Sequence, residues 1–234
     1  MEDRWAVHAG AASLFAAVYD GHGGATAADR AAAELHPLVF GWLEAGLSPA
    51  DALGRAFEEL ARRTSDLECG STVAAILLTR SEILTAHVGD SRVLQIGKTR
   101  TAALTRDHRI DADDERARVL QMGAEIHPPY VVRGDRGLMM TRSLGDRWFQ
   151  PVGVIAEPEV GRHAVGADDV ALVLATDGVW DVLSHEQAAR VVRRAAAAQA
   201  AADALIGAAL AADTRDNVTA VVVRLADLGP AGGA

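Results

Sequence analysis

The sequence predicts an α+β domain in which antiparallel strands form layers and helices cover them. Three observations support this class. Apolar runs of strand length are separated by turn residues between 70 and 97, segments with helical spacing lie on both sides, and the regular strand–helix–strand alternation of a parallel sheet is missing. With 234 residues, 50% of them apolar or aromatic, the chain can bury a substantial core.

The first predicted elements are a strand and two helices. An apolar run over 13–19 predicts a buried strand. Helical spacing over 24–46 predicts a long helix, which Pro37 is expected to bend. A second helix is predicted over 48–65, because it opens with a Ser-Pro pair, the residues preferred at the N-cap and the first helical position.

The apolar pattern changes after Gly70. Three short β-rich runs, divided by turn residues, predict an antiparallel meander over 71–79, 82–89 and 91–97. A helix is predicted over 111–122, since acidic residues open this segment and a glycine follows it. From 124 to 160 the pattern is irregular and rich in Pro and Gly, which indicates a loop-rich insertion.

The last third returns to strands and helices. An apolar run over 169–176 predicts another buried strand, and two helices follow over 185–198 and 199–212, the first with a serine cap. The segment 218–225 predicts a final strand. The Gly/Ala-rich residues 229–234 are expected to form a flexible tail.

Composition limits the classes of function. The net charge of −9 and pI near 5.3 argue against nucleic-acid binding, because phosphate contacts need a basic face. The single cysteine, Cys69, cannot form an internal disulfide, so we expect an intracellular protein, in the cytoplasm, the nucleus or both. No apolar run has the length of a membrane span and the first residues do not resemble a signal peptide, so no membrane association is expected.

Acidic residues recur at the ends of the apolar strands. They are Asp20, Asp90, Asp177, Asp216 and the leading pair Glu2 and Asp3. Each one alone is explained as a turn residue or a surface cap. Several together are costly at the margin of a core unless a cation neutralises them, and the only basic residues next to these segments in the sequence are Arg92 and Arg215. The pattern therefore favours a divalent metal site.

The candidate ligands predict which metal would bind. Oxygen ligands without Cys or paired His indicate Mg²⁺ or Mn²⁺ rather than zinc. Gly21 lacks a side chain, so its carbonyl can approach an ion closely. His22 is interpreted in two ways, as an exposed turn residue or as a general acid beside the metals.

Sequence blocks along nearly the whole chain resemble, in the same order, those of one family. They are MED (1–3), YDGHGG (19–24), GSTVAAIL (70–77), HVGDSR (87–92), LTRDH (104–108), the E-R…GAEI segment (115–126), MTRSLGD (140–146), IAEPEV (155–160), ATDGVWDVL (175–183) and RDNVTAVVV (215–223). The family is that of the metal-dependent protein serine/threonine phosphatases, protein phosphatase 2C. Several blocks are similar to its eukaryotic, plant-like branch.

The resemblance implies a four-layer α/β/β/α sandwich of two antiparallel sheets flanked by helices. It also implies one catalytic domain over 1–228, with a flap within 124–150 beside the active-site cleft. Two Mn²⁺ or Mg²⁺ ions are expected in that cleft, with a weaker third ion as a further option. The members of this family hydrolyse phosphoserine and phosphothreonine in proteins with a metal-activated water.

The resemblance assigns roles to individual residues. Asp20 is expected to bridge two metals, with the Gly21 carbonyl on one and Asp177 and Asp216 on the other. The remaining expected roles are general acid for His22, contacts through metal-bound waters for Glu2 and Asp3, a third-ion site for Asp90 with Asp177, and substrate contacts in the flap for Tyr130, Arg133 and Arg136.

The chain departs from the family pattern at its start. The family has an arginine four residues before the first acid, on an opening strand, and here Glu2 is the second residue. We therefore expect a neighbouring strand to be unpaired, the Glu2–Asp3 end to be frayed, and the chain to be a late-started or truncated version of a longer enzyme. Arg4 is no obvious replacement for that arginine.

Two further functions compete with the phosphatase. A catalytically weakened, phosphatase-like module would sequester phosphoproteins or a kinase, and the missing arginine is its support. A nucleotide-phosphate binder using GHGG (21–24) is disfavoured because no lysine-bearing phosphate loop follows. The expected partners are phosphoproteins, among them a kinase or its target, and the chain is expected to be a monomer.

Overall fold

The computed structural model describes residues 1–10, 13–79 and 81–228. It confirms the predicted fold class, with two antiparallel sheets packed face to face and helices outside them. The expected flexible tail over 229–234 lies outside the described residues. In the described part of the chain, no helix combines the length and hydropathy needed to cross a membrane.

The first sheet has five strands, and every neighbouring pair is antiparallel. In spatial order they are β1 (Arg4–Ala9), β2 (Leu14–Tyr19), β5 (Val73–Leu78), β6 (Glu82–Val88) and β13 (Glu159–Ala164). The sequence did not predict β1 or β13. Both are edge strands with alternating or mostly exposed residues, so neither has the continuous apolar run that marks the central strands.

The second sheet has four strands. In spatial order they are β15 (Ala220–Arg224), β14 (Asp169–Ala175), β7 (Arg92–Gly97) and β8 (Thr101–Ala103). Within the described residues β15 pairs only with β14, so it forms an edge of this sheet. That this chain lacks the opening strand of the family stays a prediction.

Three apolar clusters separate the four layers. Between the sheets, Val18 and Ile76 of the first sheet pack with Leu172 and Val221 of the second. The outer face of each sheet packs on helices. Phe15 and Tyr19 contribute to the outer cluster of the first sheet, and Val173 to that of the second. Because alternate residues of a strand face opposite sides, central strands buried on both sides are apolar throughout.

The predicted helical segments agree closely with α1 (Thr26–Glu44), α2 (Pro49–Thr64), α3 (Asp113–Gln121), α5 (His185–Arg194) and α6 (Ala198–Ala211). The single turn α4 (Asp177–Trp180) and the short 3-10 helices at Gln150–Val152 and Leu225–Leu228 were not predicted. Both predicted serine caps are confirmed: Ser48 Oγ accepts from the Asp51 N–H and Ser184 Oγ from the Gln187 N–H. Pro37 lies inside α1.

The region from 124 to 160 is more ordered than the irregular pattern predicts. It contains a three-stranded antiparallel sheet of β9 (Glu125–His127), β10 (Tyr130–Arg133) and β11 (Arg136–Leu138). This sheet has its own small core, in which Val131 packs with Val119 of α3 and with Phe149. The strands are short and exposed on one face, which is why no strand pattern is visible in the sequence.

A second small sheet lies at the end of the molecule where the acidic residues follow their strands. Its strands are β3 (Gly21–His22), β4 (Gly70–Ser71) and β12 (Leu144–Gly145), with β4 in the centre. This pairing brings three of the recognised blocks together, since GSTVAAIL lies between YDGHGG and MTRSLGD.

Candidate metal centre and active site

Antiparallel pairing gathers the predicted acids at one end of the sandwich. Arg4 lies opposite Tyr19, so Asp3, the residue before β1, adjoins Asp20, the residue after β2. In the second sheet Ala175 lies opposite both Arg92 and Ala220. Asp177 therefore comes to the same end as the segments that contain Asp90 and Asp216.

Two glycines allow the closest approaches of these segments. A Cβ on Gly21 would lie 2.7 Å from the Glu2 carbonyl oxygen, and a Cβ on Gly178 would lie 2.0 Å from the Asn217 carbonyl oxygen. Both distances are far below a van der Waals contact, so only glycine fits at either position. The glycines therefore bring Glu2 beside Gly21 and Asp216 beside Asp177.

The Glu2–Asp3 end is anchored, which corrects the expectation of fraying. The Glu2 N–H donates to Asn217 Oδ1 at 2.9 Å, and the Thr176 hydroxyl donates to Asp3 Oδ2 at 3.1 Å. The side chain of Asp3 is buried, as only 5% of the residue is exposed. These bonds tie the first residues to the segments that flank β14 and β15.

The carboxyl groups perturb one another strongly. Burial, together with the charges of Asp177, Asp3 and Asp90, raises the pKa of Asp20 to about 10. Burial and the charges of Asp90, Asp181 and Asp216 raise the pKa of Asp177 to about 7. Burial is the largest cause of both shifts, and the repulsion between carboxylates adds to it because they lie close together without enough positive charge to offset them.

Several buried carboxylate oxygens at this site have no hydrogen-bond donor within the described part of the chain. They are Oδ1 of Asp3, Oδ1 of Asp90 and Oδ1 of Asp177. An unpaired buried carboxylate oxygen is strongly unfavourable unless a cation or ordered water contacts it. The donor set consists of hard oxygens, which fits Mg²⁺ or Mn²⁺.

His22 lies at the edge of this acidic cluster and is held by a residue that the sequence analysis did not single out. Its Nε2 is 2.7 Å from Asp146 Oδ2, and the Ser143 hydroxyl donates to the same oxygen at 2.5 Å. Burial lowers the pKa of His22, but the bond to Asp146 and the charges of Asp146, Asp90 and Glu2 outweigh burial and raise it. His22 is thus a partly buried imidazole whose charged form is favoured by its acidic neighbours.

The basic neighbour of the cluster is Arg109, which corrects the expectation from the sequence. The guanidinium of Arg109 contacts Asp90, Asp177 and Asp181. Arg92 instead pairs with Asp107 through Nε and Nη2 and lies over the Trp180 ring. Arg109 directly follows the LTRDH block, so its proximity to a recognised block was the one available signal.

Arg4 is engaged elsewhere, in agreement with the expectation that it does not replace the missing arginine. Its Nε donates to Asp29 at 2.6 Å and its Nη1 to the Asp3 carbonyl at 2.7 Å. Asp216 is exposed, and its Oδ1 accepts the N–H of Asn217 at 2.7 Å. Its charge still raises the pKa of both Asp3 and Asp177.

The predicted flap residues form a small aromatic platform. The guanidinium groups of Arg133 and Arg136 lie 4.6 Å and 5.3 Å from the centre of the Trp148 ring. Arg133 also donates to the Trp148 carbonyl, and the Trp148 indole donates back to the Arg133 carbonyl at 3.2 Å. Tyr130 is exposed and lies against Gly137. Trp148 follows Asp146, the partner of His22, by two residues in the chain.

A different set of side chains has metal-ligand spacing, namely His87, His108 and Glu159. Burial lowers the pKa of His108 to about 2, so this ring is neutral. Its Nδ1 accepts the Gly89 N–H at 3.1 Å, which places the proton on Nε2, the nitrogen nearest Glu159. A protonated nitrogen has no lone pair for a metal, so this group is a poor metal site.

Comparison with known proteins identifies relatives of the whole domain. A family model described as Protein phosphatase 2C matches residues 8–218. "Probable protein phosphatase 2C 71" of Arabidopsis thaliana is 33% identical over 215 residues, which cover 88% of this chain and 47% of the relative. "Protein phosphatase 2C 50" of Oryza sativa subsp. japonica is 37% identical over 179 residues, covering 67% of this chain and 46% of the relative.

The fold is also similar to solved structures. The crystal structure of a serine-threonine phosphatase 2C from Toxoplasma gondii superimposes with a TM-score of 0.83 at 23% identity, covering 95% of this chain and 90% of that one. The chain spans about half the length of the curated relatives it matches, with shares of 47%, 60% and 46%.

Proposed function

The chain belongs to the protein phosphatase 2C family, and on that premise we propose that it hydrolyses phosphoserine and phosphothreonine in proteins with the help of divalent cations. The observation that carries this proposal is the set of buried, unpaired oxygens on Asp3, Asp90 and Asp177 beside Asp20. Their number and hardness suit Mg²⁺ or Mn²⁺.

We assign the ligands of two cations to residues at the ends of the strands. Asp20, the Gly21 carbonyl, Asp177 and Asp216 bind directly, and Glu2 and Asp3 act through bound waters. When bound, the cations supply the charge that activates a water and neutralises the phosphoryl oxygens.

The chain's own residues supply the proton for the leaving group. Asp146 bonds His22 Nε2 and favours the charged ring, so His22 can protonate the departing Ser or Thr oxygen. The bond from His22 Nε2 to Asp146 fixes the orientation of the imidazole ring, so we propose that Asp146 positions His22 for this proton transfer.

The flap is the proposed contact surface for phosphoproteins. Arg133 and Arg136 present positive charge over the Trp148 ring, and Tyr130 adds an exposed aromatic ring. We further propose that the protein acts as a monomer inside the cell, in the cytoplasm, the nucleus or both. The free cysteine, Cys69, suits a reducing compartment.

A phosphopeptide assay tests this function. We expect Mn²⁺-dependent release of phosphate that EDTA abolishes and that Asp177→Asn reduces by at least roughly a hundredfold, since one of the charges that holds the ions is lost. Asp168→Asn is the matched control, because Asp168 is exposed and pairs only with Lys98 among the described residues. Turnover that survives both EDTA and Asp177→Asn would contradict the proposal.

The alternative is a catalytically weakened, phosphatase-like module that sequesters phosphoproteins or a kinase. One observation favours it: Arg4 and Arg109, the arginines next to the acidic cluster, are both bound to carboxylates and not free to hold a phosphate. Tight phosphopeptide binding without turnover in saturating Mn²⁺ would support this module and not the enzyme.

A further inference from the structure

One arginine bonds three carboxylates at the edge of the acidic cluster. Arg109 Nε donates to Asp90 Oδ2 at 2.6 Å, Nη2 donates to Asp177 Oδ2 at 3.1 Å, and Nη1 donates to Asp181 Oδ1 at 3.3 Å. Each nitrogen of the guanidinium thus has its own carboxylate. This is the arrangement in which a planar, permanently charged group binds best.

The backbone holds Arg109 firmly in this place. The preceding residue, His108, donates its N–H to the Gly89 carbonyl at 3.0 Å and accepts the Thr141 N–H at 2.7 Å. Arg109 itself forms a β-bridge with Met140. Its side chain is 17% exposed and that of Asp90 is fully buried, so the contact is shielded from solvent. Arg109 is therefore part of the folded framework.

In both Asp90 and Asp177, one carboxylate oxygen bonds Arg109 and the other has no bond to Arg109. Asp90 and Asp177 each bond Arg109 through Oδ2 and keep a buried Oδ1 without any hydrogen-bond donor in the described residues. The Oδ1 of Asp177 is available for the proposed pair of cations. The carboxylate oxygens of Asp90, Asp177 and Asp181 that face Arg109 are already neutralised by its guanidinium.

We propose that Arg109 is the resident cation of the Asp90–Asp177–Asp181 triplet and excludes a third divalent cation from these three carboxylates. The physical reason is competition. A metal shared by the three carboxylates would lie against the guanidinium that already bonds each of them, and would therefore face a like charge in a shielded site. The inference rests on the proposed metal-dependent function and specifies how many ions that site holds.

The test counts bound Mn²⁺ by electron paramagnetic resonance and calorimetry, without any substrate. We expect the unaltered protein to bind two ions. Arg109→Met should bind a third Mn²⁺ more weakly than the first two. The dissociation constant of this third ion should be at least about tenfold lower than that of any third ion in the unaltered protein. Arg109→Lys, which keeps the positive charge, should not bind this third ion.

Arg106→Met is the matched control, because Arg106 lies three residues away and pairs with Asp114 and Glu159. Its ion count should equal that of the unaltered protein. If Arg109→Met does not fold, as judged by circular dichroism, Arg109→Gln provides the same comparison with a polar side chain.

The outcomes separate the two proposals. Two ions in both the unaltered protein and Arg109→Met, or three ions in both with equal affinity, overturn the role of Arg109 and leave the proposed function standing. An unaltered protein that binds no Mn²⁺ overturns the proposed function itself, and this inference with it.

Discussion

His22 Nε2 lies 2.7 Å from Asp146 Oδ2, and Asp146 is almost fully buried with 3% of its surface exposed. The bond joins two of the recognised blocks, YDGHGG and MTRSLGD, across the small sheet of β3, β4 and β12. It raises the pKa of a histidine that burial alone would lower.

Asp146→Asn should impair general-acid catalysis. Asparagine retains the hydrogen-bonding shape but loses the charge that raises the pKa of His22, so that pKa should fall. An acid works only while protonated, so the alkaline limb of the pH–rate profile should move to lower pH. Near neutral pH, kcat should fall roughly ten- to a hundredfold.

The matched control for that variant is Asp213→Asn, because Asp213 also has a positive φ, 61° against 48° for Asp146, but is exposed. Its pH–rate profile should coincide with that of the unaltered protein. The same limb in Asp146→Asn as in Asp213→Asn would mean that Asp146 does not tune His22.

Divalent cations should stabilise the fold more strongly as pH rises. The raised pKa values of Asp177, about 7, and Asp20, about 10, mean that the metal-free folded protein holds protons that the unfolded chain releases above 3.8. Its stability should therefore fall as pH rises through that range, and cation binding should reverse the loss. At a hundred times the dissociation constant, Mn²⁺ should add about 2.7 kcal/mol.

Thermal unfolding measures this effect, and Tm should rise by roughly 5–10 °C for a domain of this size. Asp20→Asn should abolish most of the Mn²⁺-dependent rise, while Asp168→Asn, at an exposed site, should keep it. A shift in Tm that is equal at mildly acidic and mildly alkaline pH would contradict this account.

Glu115 should be essential for the stability of the region around α3. Its carboxylate is fully buried and accepts hydrogen bonds from Arg118, Arg142 and Thr141. Although burial raises the pKa of Glu115, these bonds outweigh burial and lower it. Glu115→Ala should cost about 3–5 kcal/mol of unfolding free energy, because it leaves buried positive charge unpaired.

Denaturant titration measures that loss, and Glu58→Ala is the control because among the described residues Glu58 forms only an exposed pair with Arg55. The sign of the pH dependence follows from the lowered pKa of Glu115. Its contribution should be present above the usual carboxyl value of 4.5 and disappear as pH falls through its folded value. Equal losses in Glu115→Ala and Glu58→Ala would refute the role of this network.

Trp148→Ala should loosen the flap and weaken substrate binding. Trp148 supports both Arg133 and Arg136, and each exposed cation–π contact contributes about 0.5–1 kcal/mol. Hydrogen exchange over β10 and β11 should accelerate, and KM for a phosphopeptide should rise while kcat changes little. Trp5→Ala, at a more exposed tryptophan on β1, should change neither.

If Trp148→Ala lowered kcat and left KM unaltered, the substitution would act through Asp146 and His22 instead, since Trp148 follows Asp146 closely in the chain. The flap would then have no part in substrate binding.

Local sequence patterns predicted much of this fold because they depend on local physics. Strands buried on both sides require continuous apolar runs, and 13–19, 71–79 and 169–176 have them. Serine caps at 48 and 184 follow from hydrogen bonds within one helical turn. The edge strands β1 and β13 and the flap strands were missed because one exposed face removes that signal.

By itself the sequence determined that acids follow or precede the buried strands, as with Asp20, Asp177 and Asp216, and hence that a cation site was expected. Only the tertiary structure decided which residues complete the site, because Arg109 and Asp146 come from loops without a periodic pattern. Their positions depend on long-range strand pairing and loop packing, which no local window contains.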